Sequence, residues 1–152
     1  MPELEHILGC QCCLGEGPLW HVAEQALYWV DIEGHRVHRL KPATMQHETF
    51  DTDVAITALG LRQGGGFVVA TAAGLGTWQP ETTQVVITHN VEPDLPDNRF
   101  NDGAVDPGGR FWAGTMYTGP GESIFQGALY RLAPDGRVHT MRREVGVSNG
   151  LG

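Results

Sequence analysis

The sequence predicts an all-β fold, and more specifically a β-propeller of which this chain carries about three blades. Three observations favour that fold: an internal repeat of blade length, short strands rich in Val, Tyr, Phe and Trp, and 21 glycines among 152 residues. Propeller blades are four-stranded sheets whose sequences recur roughly every 40 to 50 residues. Since no stretch shows a sustained hydrophobic period of about 3.6 residues, helices are not expected.

The repeat presents the same order of elements three times. Each copy has a tight turn, an apolar strand, a break at glycine, a short alternating strand and a turn with proline. The recurring positions are Tyr28, Phe67 and Phe111, then Gly34, Gly74 and Gly127, then Pro42, Pro80 and Pro134. A β-sandwich of about ten strands is the alternative, because its turns also recur. A sandwich does not require the same turn chemistry at blade-length spacing, so the propeller is favoured.

The number of repeats predicts an incomplete ring. Propellers close with about four to eight blades, so three copies cannot bring the first sheet round to the last. The sequence stops at SNGLG, where a fourth copy would begin. We therefore expect residues 1–152 to be the N-terminal half of a single propeller domain, completed by a missing C-terminal half or by another copy of the chain.

Composition limits the partners of the protein. The 18 acidic and 10 basic side chains give a formal net charge of -8. Nucleic-acid binding needs clustered Lys and Arg, so no nucleic-acid partner is expected. No apolar run approaches the roughly 20 residues of a membrane helix, and the N-terminus lacks a basic segment leading into an apolar core. We expect a soluble, cytoplasmic protein with a small-molecule partner and no membrane contact.

The three cysteines stand close together, at Cys10, Cys12 and Cys13. An odd number within four positions is not a secreted disulfide framework. Such a cluster can bind a soft metal, but no later Cys or paired His completes a tetrahedral set. The sequence therefore predicts buried or half-buried thiols on a first strand. His35 and His38, in the alternating string HRVHRL, are predicted to point outward.

Polar residues recur where the innermost strands of successive blades would begin. These positions hold Glu16 in LGEGPLW, then Arg99, Asn101 and Asp102 in RFNDG, and Asn149 in VSNGLG. Asn101, Asp102 and Asn149 are also typical of turns, because Asn and Asp tolerate left-handed backbone. Glu16 before Gly-Pro is alternatively a solvated turn residue, and Arg99 a surface charge. Blades lie around one axis, so we expect these residues to converge at a common opening. The oxygen atoms of Glu16 and Asn149 suit a hard or borderline divalent cation.

Several of these strings resemble a known family. GEGPLW, ALYWVDI, NRFNDGAVDPGGRFWAGTM, GALYRL and SNGL are similar to the gluconolactonase family that includes regucalcin, the senescence marker protein. The similarity runs from about Gly15 to Leu151, and the Arg-Phe-Asn-Asp-Gly string is its most specific part. Members are six-bladed propellers, so the resemblance implies that this chain covers the first three blades and the entry to the fourth.

The resemblance also implies site residues. Glu16 and Asn149 match two ligands of one divalent cation, which is Ca²⁺, Zn²⁺, Mn²⁺ or Mg²⁺. Arg99 and Asn101 match residues that contact a sugar lactone, and Glu122 is a loose match to an acidic substrate contact. The Asp that is both the third ligand and the candidate general base belongs to a later blade, beyond residue 152.

The function implied by the resemblance is cation-dependent hydrolysis of sugar lactones. Because one ligand and the base are missing, we expect this chain alone to be a poor lactonase, with no catalytic base of its own. The alternative is a non-catalytic propeller that binds calcium or a partner. An Asp at the central opening of the second half favours hydrolysis, and its absence favours binding.

Overall fold

The computed structural model describes residues 4–121 and 125–152, and within these residues it contains twelve β-strands. The strands are β1 (Gly15–His21), β2 (Ala26–Asp31), β3 (Arg36–Lys41), β4 (Gln46–Asp51), β5 (Ile56–Leu61), β6 (Phe67–Thr71), β7 (Leu75–Trp78), β8 (Val86–His89), β9 (Asn98–Val105), β10 (Phe111–Tyr117), β11 (Gly127–Leu132) and β12 (Val138–Val145).

The twelve strands form three antiparallel sheets of four strands each. Their orders are β1-β2-β3-β4, β5-β6-β7-β8 and β9-β10-β11-β12, so every strand pairs with its neighbour in sequence. This arrangement confirms the all-β prediction and makes each sequence repeat one four-stranded blade. In the part of the chain that the structure describes, no helix is long and apolar enough to cross a membrane.

The first strands of the three sheets lie next to one another. Strand β5 contacts β1 on one side and β9 on the other. Two apolar layers fill the space between the sheets. One joins the first sheet to the second and includes Tyr28, Val30 and Phe67, and the other joins the second sheet to the third and includes Phe100 and Tyr130. The sheets therefore pack face to face, with β1, β5 and β9 innermost.

The recurring aromatic residue of the sequence repeat has a packing role. The rings of Tyr28 and Phe67 lie 4.9 Å apart between the first two sheets. Phe111 occupies the corresponding position in the second apolar layer. Burying one such side chain stabilises the fold by about 1.5–3 kcal/mol. The aromatic recurs because each blade needs a large apolar group at the same place to cover its neighbour.

Two predictions about the first blade are wrong in part. Cys10, Cys12 and Cys13 precede β1 and lie on no strand, although Cys10 and Cys12 are half-buried as predicted. His38 lies on the face of β3 that points away from the second sheet, but it is only 3% exposed, because its ring stacks on Trp29 at a centroid distance of 5.0 Å. His35 is exposed but lies in the turn before β3, not on the strand.

The glycine turn after β9 depends on one carboxylate. Asp106 accepts hydrogen bonds from the backbone N–H groups of Gly108 and Arg110, at 2.9 and 3.0 Å. It also accepts bonds from Arg110 Nε at 2.6 Å and Trp112 Nε1 at 2.9 Å. The bond from Trp112, followed by those from Arg110, lowers the pKa of Asp106 to about 2. This side chain therefore fixes the hairpin that joins β9 to β10.

We predict an acid-sensitive contribution from Asp106. A carboxyl group whose pKa is lowered on folding stabilises the fold above its unfolded pKa of about 3.9, and that stability is lost as the pH falls towards about 2. Asp106→Asn should therefore lose less stability than the parent chain between these pH values, as measured by urea unfolding. Asp135→Asn, in the hairpin after β11, is the control because Asp135 accepts one backbone bond, from Arg137. Identical pH profiles for the parent and Asp106→Asn would contradict the prediction.

Candidate functional site

A cavity of about 460 Å³ lies where the three innermost strands meet. Its wall is formed by β1, β5, β9 and the C-terminal segment 149–152. Glu16, Asp102 and Asn149 all line it. Residues that are 133 positions apart in the chain thus share one opening, as the convergence argument expects. Their roles as ligands stay predictions.

Glu16 reaches the cavity through an irregularity in β1. The pairing of β1 with β2 shifts register between Glu16 and Leu19, which is a β-bulge. Gly17, inside the bulge, has a φ of 57°, a left-handed conformation that glycine adopts without strain. A bulge bends the strand and redirects its side chains. The carboxylate of Glu16 is consequently exposed at the end of the innermost strand.

Asn149 is positioned by two side chains of β9. Asn101 Nδ2 donates to the carbonyl oxygen of Ser148 at 2.8 Å, and the backbone N–H of Leu151 donates to Asp102 Oδ2 at 2.8 Å. Residues 147–152 form no strand, so these bonds hold the segment in place of a sheet ladder. That the segment begins a fourth blade stays a prediction. The two bonds explain why NDG and SNGL occur together in one chain.

Arg99 is joined to the site through Asn101. Its Nη1 donates to Asn101 Oδ1 at 3.0 Å and to the carbonyl oxygen of Phe100 at 2.8 Å. Burial lowers the pKa of Arg99, and the negative charge of Glu33 opposes that effect. Within the described part of the cavity wall, neither Arg99 nor Asn101 is a lining residue. Glu122, the loosely matched substrate contact, lies outside the described residues.

The cavity wall suits a cation. It carries the carboxylates of Glu16 and Asp102 and, over the residues that the structure describes, no Lys, Arg or His. Thr57, near the start of β5, is 1% exposed, and its Oγ1 has no hydrogen-bond partner in the described residues, but it is not among the residues that line this cavity. A negative wall with carboxylate and amide oxygens is the donor set that hard cations prefer.

Asp102 was expected among the converging residues but not as a ligand, and no pattern in the sequence indicates Thr57. Asp102 follows Asn101 in a string that is typical of turns, so its presence in the cavity wall could not be told from a turn-forming role. The apolar string around Thr57, AITALGL, carries no signal of a site. Only its position near the start of an innermost strand, like that of Glu16 in β1, could have indicated it.

The comparison with known families gives a clear match. The profile described as "SMP-30/Gluconolactonase/LRE-like region" matches residues 14–152. Regucalcin from Oryctolagus cuniculus is 37% identical over an alignment of 152 positions, which covers 98% of this chain and 51% of that protein. A 6-deoxy-6-sulfogluconolactonase from Pseudomonas putida is 39% identical over 138 residues, which are 91% of this chain and 47% of that protein.

Solved structures show the same fold. A luciferin-regenerating enzyme superposes with a TM-score of 0.83 at 29% identity, covering 91% of this chain and 48% of that one. A calcium-binding protein, regucalcin, from Agrobacterium tumefaciens superposes with a TM-score of 0.77 at 28% identity, covering 88% and 44%. The chain spans about half the length of the curated relatives it matches, corresponding to their N-terminal half. It therefore belongs to the SMP-30/gluconolactonase family and forms about three blades of that family's propeller.

Proposed function

We propose that this chain supplies the N-terminal half of a divalent-cation-dependent hydrolase of sugar lactones. The observation that carries the proposal is the shared cavity, where Glu16, Asp102 and Asn149 meet at the innermost strands. A relative that is 39% identical is a 6-deoxy-6-sulfogluconolactonase, which supports a sugar lactone as the substrate.

Glu16 and Asn149 would hold the cation, with Asp102 as a further oxygen donor in the same wall. When bound, a divalent cation would polarise an ester carbonyl and lower the pKa of a coordinated water below its value in bulk water. The residues of this chain would position the cation and supply negative charge around it. Glu16 is exposed to the cavity, and the segment that carries Asn149 is fixed by its bonds to β9.

Arg99 and Asn101 would orient the lactone. The guanidinium group offers five N–H donors in a fixed planar arrangement, and among the described residues its protein hydrogen bonds come from Nη1. The donors on Nε and Nη2 are therefore suited to the hydroxyl and ester oxygens of a sugar lactone. Asn101 fixes Arg99 on one side and the Ser148 carbonyl on the other, so it connects substrate orientation to cation binding.

A non-catalytic calcium-binding propeller is the second candidate. It is supported by the Agrobacterium tumefaciens neighbour, which is described as a calcium-binding protein. The two candidates use the same cation site and differ in whether bound lactone is hydrolysed. The proton acceptor for hydrolysis is predicted to lie beyond residue 152, so the chain alone is expected to hydrolyse lactones poorly.

The proposal predicts that Glu16→Gln weakens cation binding by at least about tenfold, because a carboxylate ligand becomes a neutral amide. Binding of Ca²⁺ and Mn²⁺ to the chain is measured by isothermal titration calorimetry. Hydrolysis of glucono-1,5-lactone is followed in a pH-stat, with the chain alone and mixed with the C-terminal half of a relative. Glu81→Gln is the matched control, because Glu81 is exposed in the turn after β7 and away from the cavity.

The outcomes separate the two candidates. Hydrolysis that appears on mixing and is lost in Glu16→Gln supports the lactonase. Cation binding that depends on Glu16 without hydrolysis supports the calcium-binding protein. Unchanged binding of Ca²⁺ and Mn²⁺ in Glu16→Gln contradicts the cation site itself.

A further inference from the structure

A second group of metal-ligating side chains lies on the first sheet, outside the cavity. Cys12 Sγ, a carboxylate oxygen of Asp31 and a ring nitrogen of His38 all lie within 4.8 Å of one another. Cys10 Sγ is 3.4 Å from Cys12 Sγ. Asp31 and His38 are 2% and 3% exposed. Three ligating groups of three chemical types thus lie close together, and Cys10, outside that group of three, adjoins it through Cys12.

The distances fit a tetrahedral metal. With Zn–S of about 2.3 Å and Zn–N of about 2.0–2.1 Å, tetrahedral angles place sulfur and nitrogen about 3.5 Å apart and two sulfurs about 3.8 Å apart. Cys12 Sγ lies 3.6 Å from His38 Nε2, and the two sulfurs lie 3.4 Å apart. The first distance matches, and the second needs an adjustment of a few tenths of an ångström. Because Cys10 lies outside the group of three, its thiol must also move closer to Asp31 and His38, in the irregular segment before β1.

The ring of His38 is held in the orientation that a ligand needs. Its Nδ1 lies 3.0 Å from His47 Nε2, so its Nε2 is left facing Cys12. Trp29 stacks on both imidazoles, with interplanar angles of 6° and 8°. Trp29 Nε1 also donates to Cys12 Sγ at 3.4 Å. Metal-binding histidines usually carry such a partner on the second ring nitrogen, which fixes the ring and its tautomer.

The group is separate from the cavity between the innermost strands. Trp29 pairs with His38 on the sheet face opposite to Val30 and Val37, which pack against the second sheet. None of the four ligating residues lines the cavity within its described wall. Its sulfur and nitrogen donors also select different metals from the oxygen donors of Glu16 and Asn149.

We propose that Cys10, Cys12, Asp31 and His38 form a structural zinc site that fastens the segment before β1 to the first sheet. Two thiolates, one imidazole and one carboxylate complete a four-coordinate Zn²⁺ with no open position. His47 and Trp29 act as positioning residues. Because Asp31 also accepts a hydrogen bond from the backbone N–H of Leu14 at 2.8 Å, the site joins both ends of the β1–β2 hairpin to the preceding segment.

The site is tested on the reduced full chain with Zn²⁺ and with Co²⁺ as a spectroscopic probe. Cobalt should give a thiolate-to-metal charge-transfer band and intense visible d–d bands, both removed by Zn²⁺. Cys12→Ser and His38→Gln each remove a proposed ligand and should lower the Zn²⁺ affinity by more than about 100-fold. His47→Gln removes only the hydrogen-bond partner of a ligand and should lower the Zn²⁺ affinity by about 10- to 100-fold. Cys13→Ser and His139→Gln are matched controls, because both residues are exposed.

A second measurement needs no variant. In the parent chain, Zn²⁺ should slow the reaction of two thiols with a disulfide reagent and leave the exposed Cys13 reactive. Zn²⁺ binding without a charge-transfer band or thiol protection would overturn the proposal. So would zinc affinity that is lost in Glu16→Gln and kept in Cys12→Ser, since the metal would then lie in the cavity. Unchanged Ca²⁺ affinity in Cys12→Ser, with zinc affinity lost, supports two independent sites whatever the outcome of the lactone assay.

Discussion

Replacing Glu92 by alanine is expected to lower the free energy of unfolding by about 3 kcal/mol, because three hydrogen bonds to one charged group are lost. Glu92 Oε1 accepts bonds from Thr115 Oγ1 and from the hydroxyl of Tyr130, both at 2.9 Å. Its Oε2 accepts a bond from Asn98 Nδ2 at 2.9 Å. One side chain from the loop before β9 thus connects β9, β10 and β11.

The cost is large because two of the donors are buried. Thr115 and Tyr130 are 2% and 3% exposed, so truncation of Glu92 deprives two buried residues of this hydroxyl acceptor. Glu92→Gln should cost less, since an amide oxygen still accepts from both hydroxyls. Urea unfolding of the two variants measures the difference.

Asp94→Ala is the matched control for Glu92→Ala. Asp94 is an exposed carboxylate in the same loop, and its replacement should change stability by less than about 0.5 kcal/mol. Equal losses in the two variants would mean that the loop, and not the hydrogen bonds of Glu92, determines the effect.

Replacing Gly114 by alanine is expected to weaken Ca²⁺ binding by at least about tenfold and to destabilise the fold by about 1–3 kcal/mol. A Cβ at Gly114 would overlap the Oγ and Cβ atoms of Ser148. Ser148 is buried, and its carbonyl oxygen accepts the bond from Asn101 that holds the C-terminal segment. Displacing Ser148 therefore displaces the next residue, Asn149, from its place in the cavity wall.

The mechanism is checked with a control and a rescue. Gly64→Ala introduces the same methyl group where no atom lies within 4 Å, so it should leave Ca²⁺ affinity unchanged. Combining Gly114→Ala with Ser148→Gly removes the overlapping atoms and should recover most of the lost affinity, which a double-mutant cycle quantifies. Wild-type affinity in Gly114→Ala would show that the position of residues 148–151 does not matter for the cation.

Much of the fold could be predicted because its signals are local. Hairpin turns, alternating strands and the recurring aromatic each depend on residues close together in sequence, and their repetition identified the blades. The convergence of Glu16 and Asn149 followed from that repetition alone. The role of Arg99 and Asn101 as sugar contacts stays a prediction, since the two residues contact each other but are not among the described residues that line the cavity.

The burial of His38 was not predicted, because alternation tells which residues share a face but not what covers that face. The segment before β1 and the ring of Trp29 cover His38, and no pattern within HRVHRL indicates either contact. The role of Glu92 was missed for the same reason, since its partner Tyr130 is 38 positions away. The placement of the thiols on a strand was wrong for another reason, since the tendency of free Cys to be buried indicates burial and not secondary structure.

The sequence by itself determined the class of fold, the blade repeat and the end of each inner strand at which polar residues gather. Periodic burial needs only the order of apolar and polar side chains, which the chain carries locally. The tertiary structure alone decided that Asp102 and Asn101 hold the segment bearing Asn149, and that Cys12 meets His38. Those contacts join residues that are far apart in the chain and come together only when whole sheets pack. The energy of that packing is distributed over both apolar layers, so no local pattern in the sequence indicates the contacts.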